Sequence, residues 1–176
     1  MSTSALVIID MLKDFLDEGA PLEVPLGRKI IPRIRERISE AREKKIAVIY
    51  LCDAHRPGDA EFAYWPVHAL EGTEGAKVIE ELAPEESDYL VKTRRYSGFL
   101  GTDLELLLQE LQVTRLLICG ILTNVCVFFT AAEAMMRNYE VVVYADSVAA
   151  LSLKEQEFAL TQLKKVLKVK VMGKLY

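Results

Sequence analysis

The sequence predicts an α/β protein: a single three-layer α/β/α domain over residues 1–176, built on a six-stranded, mostly parallel sheet. Two observations carry this. Short apolar, β-branched runs alternate from end to end with segments of helical apolar spacing, the pattern of strand–helix–strand units that close as a parallel sheet with helices on both faces. No repeat, low-complexity stretch or linker interrupts the alternation, so nothing marks a second domain.

The first strand is Ala5–Ile9, which ends at Asp10. Asp14–Pro25, with Gly19, Pro21 and Pro25, reads as a loop. Arg28–Lys44 carries an apolar stripe of Ile30, Ile31, Ile34, Ile38 and Ala41, a helix that would hold Pro32 in its first turn. Ile46–Cys52 is the second strand and ends at a second acid, Asp53. The long irregular stretch Asp53–Gly75 holds both histidines, the only tryptophan and Tyr64, and loops of that length in a compact domain are usually functional. Ala76–Leu82 is expected as a short helix, and Asp88–Val91 as a strand ending at Lys92. Thr102–Leu111 is expected as a helix capped by Thr102 with Glu105 completing a capping box. Arg115–Cys119 is the fourth strand, broken at Gly120 and followed by a helix from Thr123 or Asn124 to about Asn138. Val141–Ala145, ending at Asp146, the helix Lys154–Leu167 and the strand Val169–Met172 complete the chain.

Apolar residues make up 51% and charged residues 27%, enough to bury a full core and too apolar for a disordered chain. The net charge of −4 and the absence of a basic stripe speak against nucleic acid as a partner. The clusters Lys29–Arg37 and Lys164–Lys170 are interleaved with apolar residues and read as solvated faces. No run approaches the ~18 apolar residues of a membrane span, and the N-terminal MSTSALVIIDML lacks the features of a signal peptide. Cys52, Cys119 and Cys126 are odd in number and contain no CxxC, which fits a reduced, cytoplasmic setting.

Ligands of open α/β sheets bind beyond the carboxyl ends of strands, and Asp10, Lys92 and Cys126 all follow strands. Cys126 falls in the first turn of a helix, where unpaired N–H groups favour an anion and would lower a thiol pKa. A cysteine nucleophile needs a base, which Asp10 can supply, and Lys92 beside both would hold the carboxylate ionised and stabilise a thiolate. His55 and His68 remain available on spacing as alternative partners for the thiol. Each residue also has an ordinary reading, as a core cysteine, a turn cap and a surface lysine. A second constellation lies in the long loop. Asp53, His55 and His68 form a donor set suited to Zn, Fe or Mn, or else are an acid and two surface histidines.

Over nearly its whole length the chain resembles the isochorismatase-like cysteine hydrolases, and among them the nicotinamidases. The resemblance rests on four ordered motifs: the strand ending in Asp10, DAH…WPVH…GTEGA, KTRRYSGFLGTDL, and GILTNVC before a helix. It implies a Rossmann-like fold and a catalytic triad of Asp10, Lys92 and Cys126. It also implies a cis peptide between Ile121 and Leu122, and an oxyanion hole from the backbone N–H groups of Leu122 and Cys126. It further implies a divalent metal, zinc before iron or manganese, on Asp53, His55 and His68, and a ring pocket lined by Trp65, Phe15 and Tyr96. Where many nicotinamidases carry one more histidine this chain has RPGDAEF, offering Asp59 or Glu61, and Leu122 is bulkier than the usual alanine. By resemblance the protein is a homo-oligomer.

The expected activity is therefore hydrolysis of a small-molecule amide, nicotinamide to nicotinate and ammonia, through a Cys126 thioester. The alternative is a relative acting on another small carboxamide, ureide or carbamoyl compound without need of the metal. A vinyl-ether hydrolase acting on isochorismate fits less well, since that chemistry does not need the cysteine. A non-catalytic α/β binding protein finds little support, because no G-x-G-x-x-G or P-loop follows any strand.

Overall fold

The computed structural model describes residues 3–175. Six strands form one sheet in the order β3-β2-β1-β4-β5-β6, and every neighbouring pair is parallel. They are β1 (Ser4–Ile9), β2 (Ala47–Asp53), β3 (Tyr89–Thr93), β4 (Arg115–Ile121), β5 (Glu140–Ala149) and β6 (Lys170–Met172). The helices are α1 (Lys13–Leu16), α2 (Pro25–Glu43), α3 (Leu104–Glu110), α4 (Cys126–Met136) and α5 (Leu153–Lys165). Successive strand side chains point to opposite faces, so each strand feeds two cores. Leu6, Ile8, Val48 and Tyr50 meet Ile30, Ile34, Ile38 and Ala41 of α2 on one face. Ala5, Val7, Ile49 and Leu51 face the side covered by α3, α4 and α5, through Leu104, Leu108, Val127, Ala131, Leu160 and Leu163. No helix among the described residues is long and apolar enough to cross a membrane.

The order of strands places the switch point between β1 and β4, where the chain, having built outward through β2 and β3, returns to the other side of β1. Gly120 makes that junction possible. It sits opposite Ile9 at φ +114°, and a Cβ there would lie 2.1 Å from the Ile9 carbonyl oxygen.

Several boundaries differ from the sequence reading. α2 starts at Pro25, whose fixed φ suits the first helical position, so Pro32 falls in the helix interior and not in its first turn. Residues 76–79 are not helical. The Lys77 carbonyl and the Ile79 N–H are taken by Lys13 and Met11, and Val78 bridges Leu12, leaving only a 3₁₀ turn at Glu80–Leu82. The capping box at α3 does not form. The Thr102 hydroxyl accepts from Leu104 N at 3.2 Å and donates to the Gly98 carbonyl, while Glu105 pairs with Arg137. β5 runs on to Ala149, so Asp146 lies within it and not past its end.

Candidate active site

Asp10 leaves β1 in a left-handed conformation, φ 52°, with its N–H on the Leu51 carbonyl. This turns the carboxylate across the end of β2, where Oδ1 accepts the Asp53 N–H at 3.0 Å. Cys126 arrives from the other side of the switch point as the first residue of α4. The turn before it is drawn tight by the Leu122 carbonyl, which accepts from the N–H groups of Val125 and Val127, and by Thr123 N–H on the Ala149 carbonyl. The Ile121–Leu122 peptide is cis. Beneath the turn, Thr123 donates to Gln156 of α5 at 2.5 Å, and Gln156 donates to the Val148 carbonyl at 2.7 Å. The Cys126 thiol and the Asp10 carboxylate share one wall and act directly on each other.

The electrostatics of this pair differ from the sequence expectation. Burial, then the neighbouring Asp53 carboxylate, push Asp10 well above the ordinary range. Burial and the Asp10 carboxylate push the Cys126 thiol up, not down. Withdrawal from water and three nearby carboxylates outweigh the N-terminus of α4. Both shifts favour the neutral form of each group over its anion.

Lys92 does not join them. Its Nζ pairs with Glu71 at 2.6 Å and its side chain is 61% exposed. β3 pairs with β2 so that Asp53 stands opposite Thr93, and alternation turns Lys92 outward. The next residue, the buried Thr93, turns inward instead, and its hydroxyl donates to Asp53 Oδ1 at 2.9 Å.

The second constellation is assembled. Asp53, His55 and His68 are buried, and one ligand atom from each lies within 4.8 Å of the others. Asp53 Oδ2 faces His55 Nε2 at 3.5 Å and His68 Nε2 at 3.8 Å. His68 Nδ1 is satisfied by the Pro66 carbonyl at 2.7 Å, which leaves Nε2 as its lone-pair nitrogen. Both ring nitrogens of His55 are buried without a formed hydrogen bond, and Nε2, aimed at a carboxylate and a second imidazole, suits a cation. These three residues could hold a metal. Burial pushes the Asp53 carboxyl up, but the two histidines and Thr93 outweigh it and hold it below its usual value. Asp59 faces His55 Nδ1 at 3.3 Å, on the far side of the ring from Asp53.

Both constellations open into one cavity of about 230 Å³. Asp10 and Cys126 lie in its wall together with Asp53, His68 and Glu61. Phe15, Trp65, Tyr96 and Leu122 line it, and Trp65 Nε1 donates to the Tyr96 hydroxyl at 3.0 Å. Leu22, Glu23, Val125 and Leu151 also line it and were not foreseen, because nothing in their local sequence marks them. Among the described residues no lysine or arginine lines this cavity, whereas Asp10, Glu23, Asp53 and Glu61 do. The wall residue Glu23 is paired with the guanidinium of Arg28 at 2.6 Å, which also donates to the Leu16 carbonyl at 2.9 Å.

A sequence model of the isochorismatase domain matches residues 4–172. An isochorismatase-like hydrolase from Alkaliphilus metalliredigens superposes with a TM-score of 0.94 at 38% identity, over 98% of this chain and 95% of that one. The pyrazinamidase of Pyrococcus horikoshii, solved in complex with zinc, superposes at 0.90 with 32% identity, covering 97% and 99%. The N-carbamoylsarcosine amidase of Thermoplasma acidophilum superposes at 0.87 with 32% identity, covering 96% and 95%. A protein of Arabidopsis thaliana described as a probable inactive nicotinamidase is 33% identical over 84% of this chain and 81% of its own.

Proposed function

The chain belongs to the isochorismatase family of hydrolases, and from that premise we propose that it is a cysteine amidohydrolase of a small, neutral, flat carboxamide, nicotinamide foremost. The charge of the cavity carries this reading. Four carboxylates and no cationic side chain line it, beside the aromatic Phe15, Trp65 and Tyr96. Among the described residues the wall offers the carboxylate of a substrate such as isochorismate or N-carbamoylsarcosine no lysine or arginine to pair with. A neutral aromatic amide meets rings for its ring and a thiol for its carbonyl carbon.

In the proposed reaction the Cys126 thiol passes its proton to Asp10 as sulfur attacks the carboxamide carbon. Backbone N–H groups of Leu122 and Cys126 receive the developing oxyanion. Asp10 returns the proton to the leaving nitrogen, ammonia departs and a thioester remains. Asp10, again a carboxylate, takes a proton from the water that attacks the thioester and then restores the thiol, releasing the carboxylic acid. Burial of Asp10 makes its carboxylate a stronger base than a free aspartate, which suits the first step. Asp53, His55 and His68 would hold a divalent cation, zinc before iron or manganese, which when bound supplies a Lewis-acid anchor beside the aromatic wall.

Turnover measured in parallel on nicotinamide and N-carbamoylsarcosine tests the reading. The expected ratio of kcat/KM is at least about 100-fold in favour of nicotinamide, since ~1.4 kcal/mol is tenfold. Equal or better turnover of the anionic substrate overturns it.

A further inference from the structure

We propose that Asp59, braced by Arg95, is a positioning residue that fixes His55 as an Nε2 donor toward the divalent cation of the Asp53–His55–His68 group, an inference that rests on the metal reading above.

The backbone of His55 is anchored on both sides, by its N–H on the Ala69 carbonyl and by its carbonyl accepting from Glu71 N–H, both 2.9 Å. The ring is then free to choose its tautomer and tilt. Asp59 Oδ2 faces Nδ1 at 3.3 Å, an ion-pair distance without a formed hydrogen bond, while Nε2 faces Asp53 at 3.5 Å across the ring. A carboxylate at Nδ1 draws the ring proton to that nitrogen and leaves the lone pair on Nε2, where a cation needs it. The same position removes Asp59 from the ligand set, because its oxygens lie on the side of the imidazole away from Asp53. Asp59 is itself held. Its Oδ1 accepts from Arg95 Nη1 at 2.9 Å and from the Glu61 N–H at 3.1 Å, and its side chain is 3% exposed. Phe62, one turn on, packs against both imidazoles at ring-centroid distances of 5.3 and 5.6 Å. One carboxylate thus ties His55 to the turn at Ala60–Ala63 that brings Glu61 to the cavity.

Zinc affinity of the purified protein, measured by competition with a chromogenic chelator, tests this together with the visible spectrum of the cobalt-substituted form. Asp59→Asn keeps an oxygen for the Glu61 N–H and removes the charge facing His55. It is expected to weaken zinc binding by about 10- to 100-fold and to alter the cobalt bands, while the metal-free protein melts within a few degrees of the parent. Arg95→Gln, on a side chain 43% exposed, is expected to weaken zinc in the same direction by a smaller factor and carries the test should Asp59→Asn not fold. Zinc affinity within twofold of the parent in the folded variant overturns the proposal while leaving the metal reading intact. A parent protein that binds no zinc overturns both. Failure to turn over nicotinamide touches neither result, since no substrate is present.

Discussion

Lys92 and Thr93 are one position apart, and on a strand one position is a change of face. That Asp10 and Cys126 would lie at one end of the sheet was legible from the strand–helix alternation, whereas Lys92, read as their companion, points away from them. Which residue of YLVKT turns inward was not legible, because it depends on the pairing of Asp53 with Thr93, and Leu90 is as exposed as a polar residue would be. Lys92→Ala is therefore expected to change kcat/KM by less than about threefold, the loss being one exposed ion pair. A loss of 100-fold in steady-state turnover would show that Lys92 swings inward during the reaction. Cys126→Ala should remove activity by on the order of 10³-fold or more, and Asp10→Asn by 10²-fold or more on the same order-of-magnitude grounds, with circular dichroism unchanged. The direction of the thiol pKa was also beyond the sequence. The helix N-terminus could be read, but the burial of Cys126 against Asp10, Asp53 and Glu61 could not.

Among the elements, the β4–α4 junction bears the site, and its tightness follows from Gly120. Gly120→Ala would force a methyl to within 2.1 Å of a backbone oxygen of β1 and keep alanine at φ +114°. The cost should be about 2–4 kcal/mol, seen as a fall in Tm on the order of 10 °C. A Tm within 2 °C of the parent would mean that β1 and β4 can part without penalty. The sequence marked Gly120 as the break between strand and helix. It could not show that β4 continues past the glycine to Ile121, or that Gln156, far along the chain, props the turn through Thr123. The misread segment 76–79 has a similar origin. Its apolar spacing suits a short helix, but its backbone groups are claimed by residues 11–13, a long-range pairing that local pattern does not encode.

At the scale of the whole molecule, topology gathers residues from several strand ends and from the loops after β1 and β2 around one cavity, whose charge the proposed substrate has to suit. The overall −4 of the chain says little about this, because surface ion pairs dominate the count. What matters is that four of its acids line one small volume without a cationic side chain. The donor set Asp53, His55 and His68 was legible as residue types in one loop, and the structure adds their convergence and the unpartnered Nε2 of His55. The most direct measurement is ammonia release from nicotinamide by the purified protein, loaded with zinc, manganese or iron and again after chelation. The account predicts turnover in the loaded protein, loss of at least about 90% on chelation with recovery on readdition, and none in Cys126→Ala. Absence of ammonia with every metal, or undiminished release from Cys126→Ala, would contradict it.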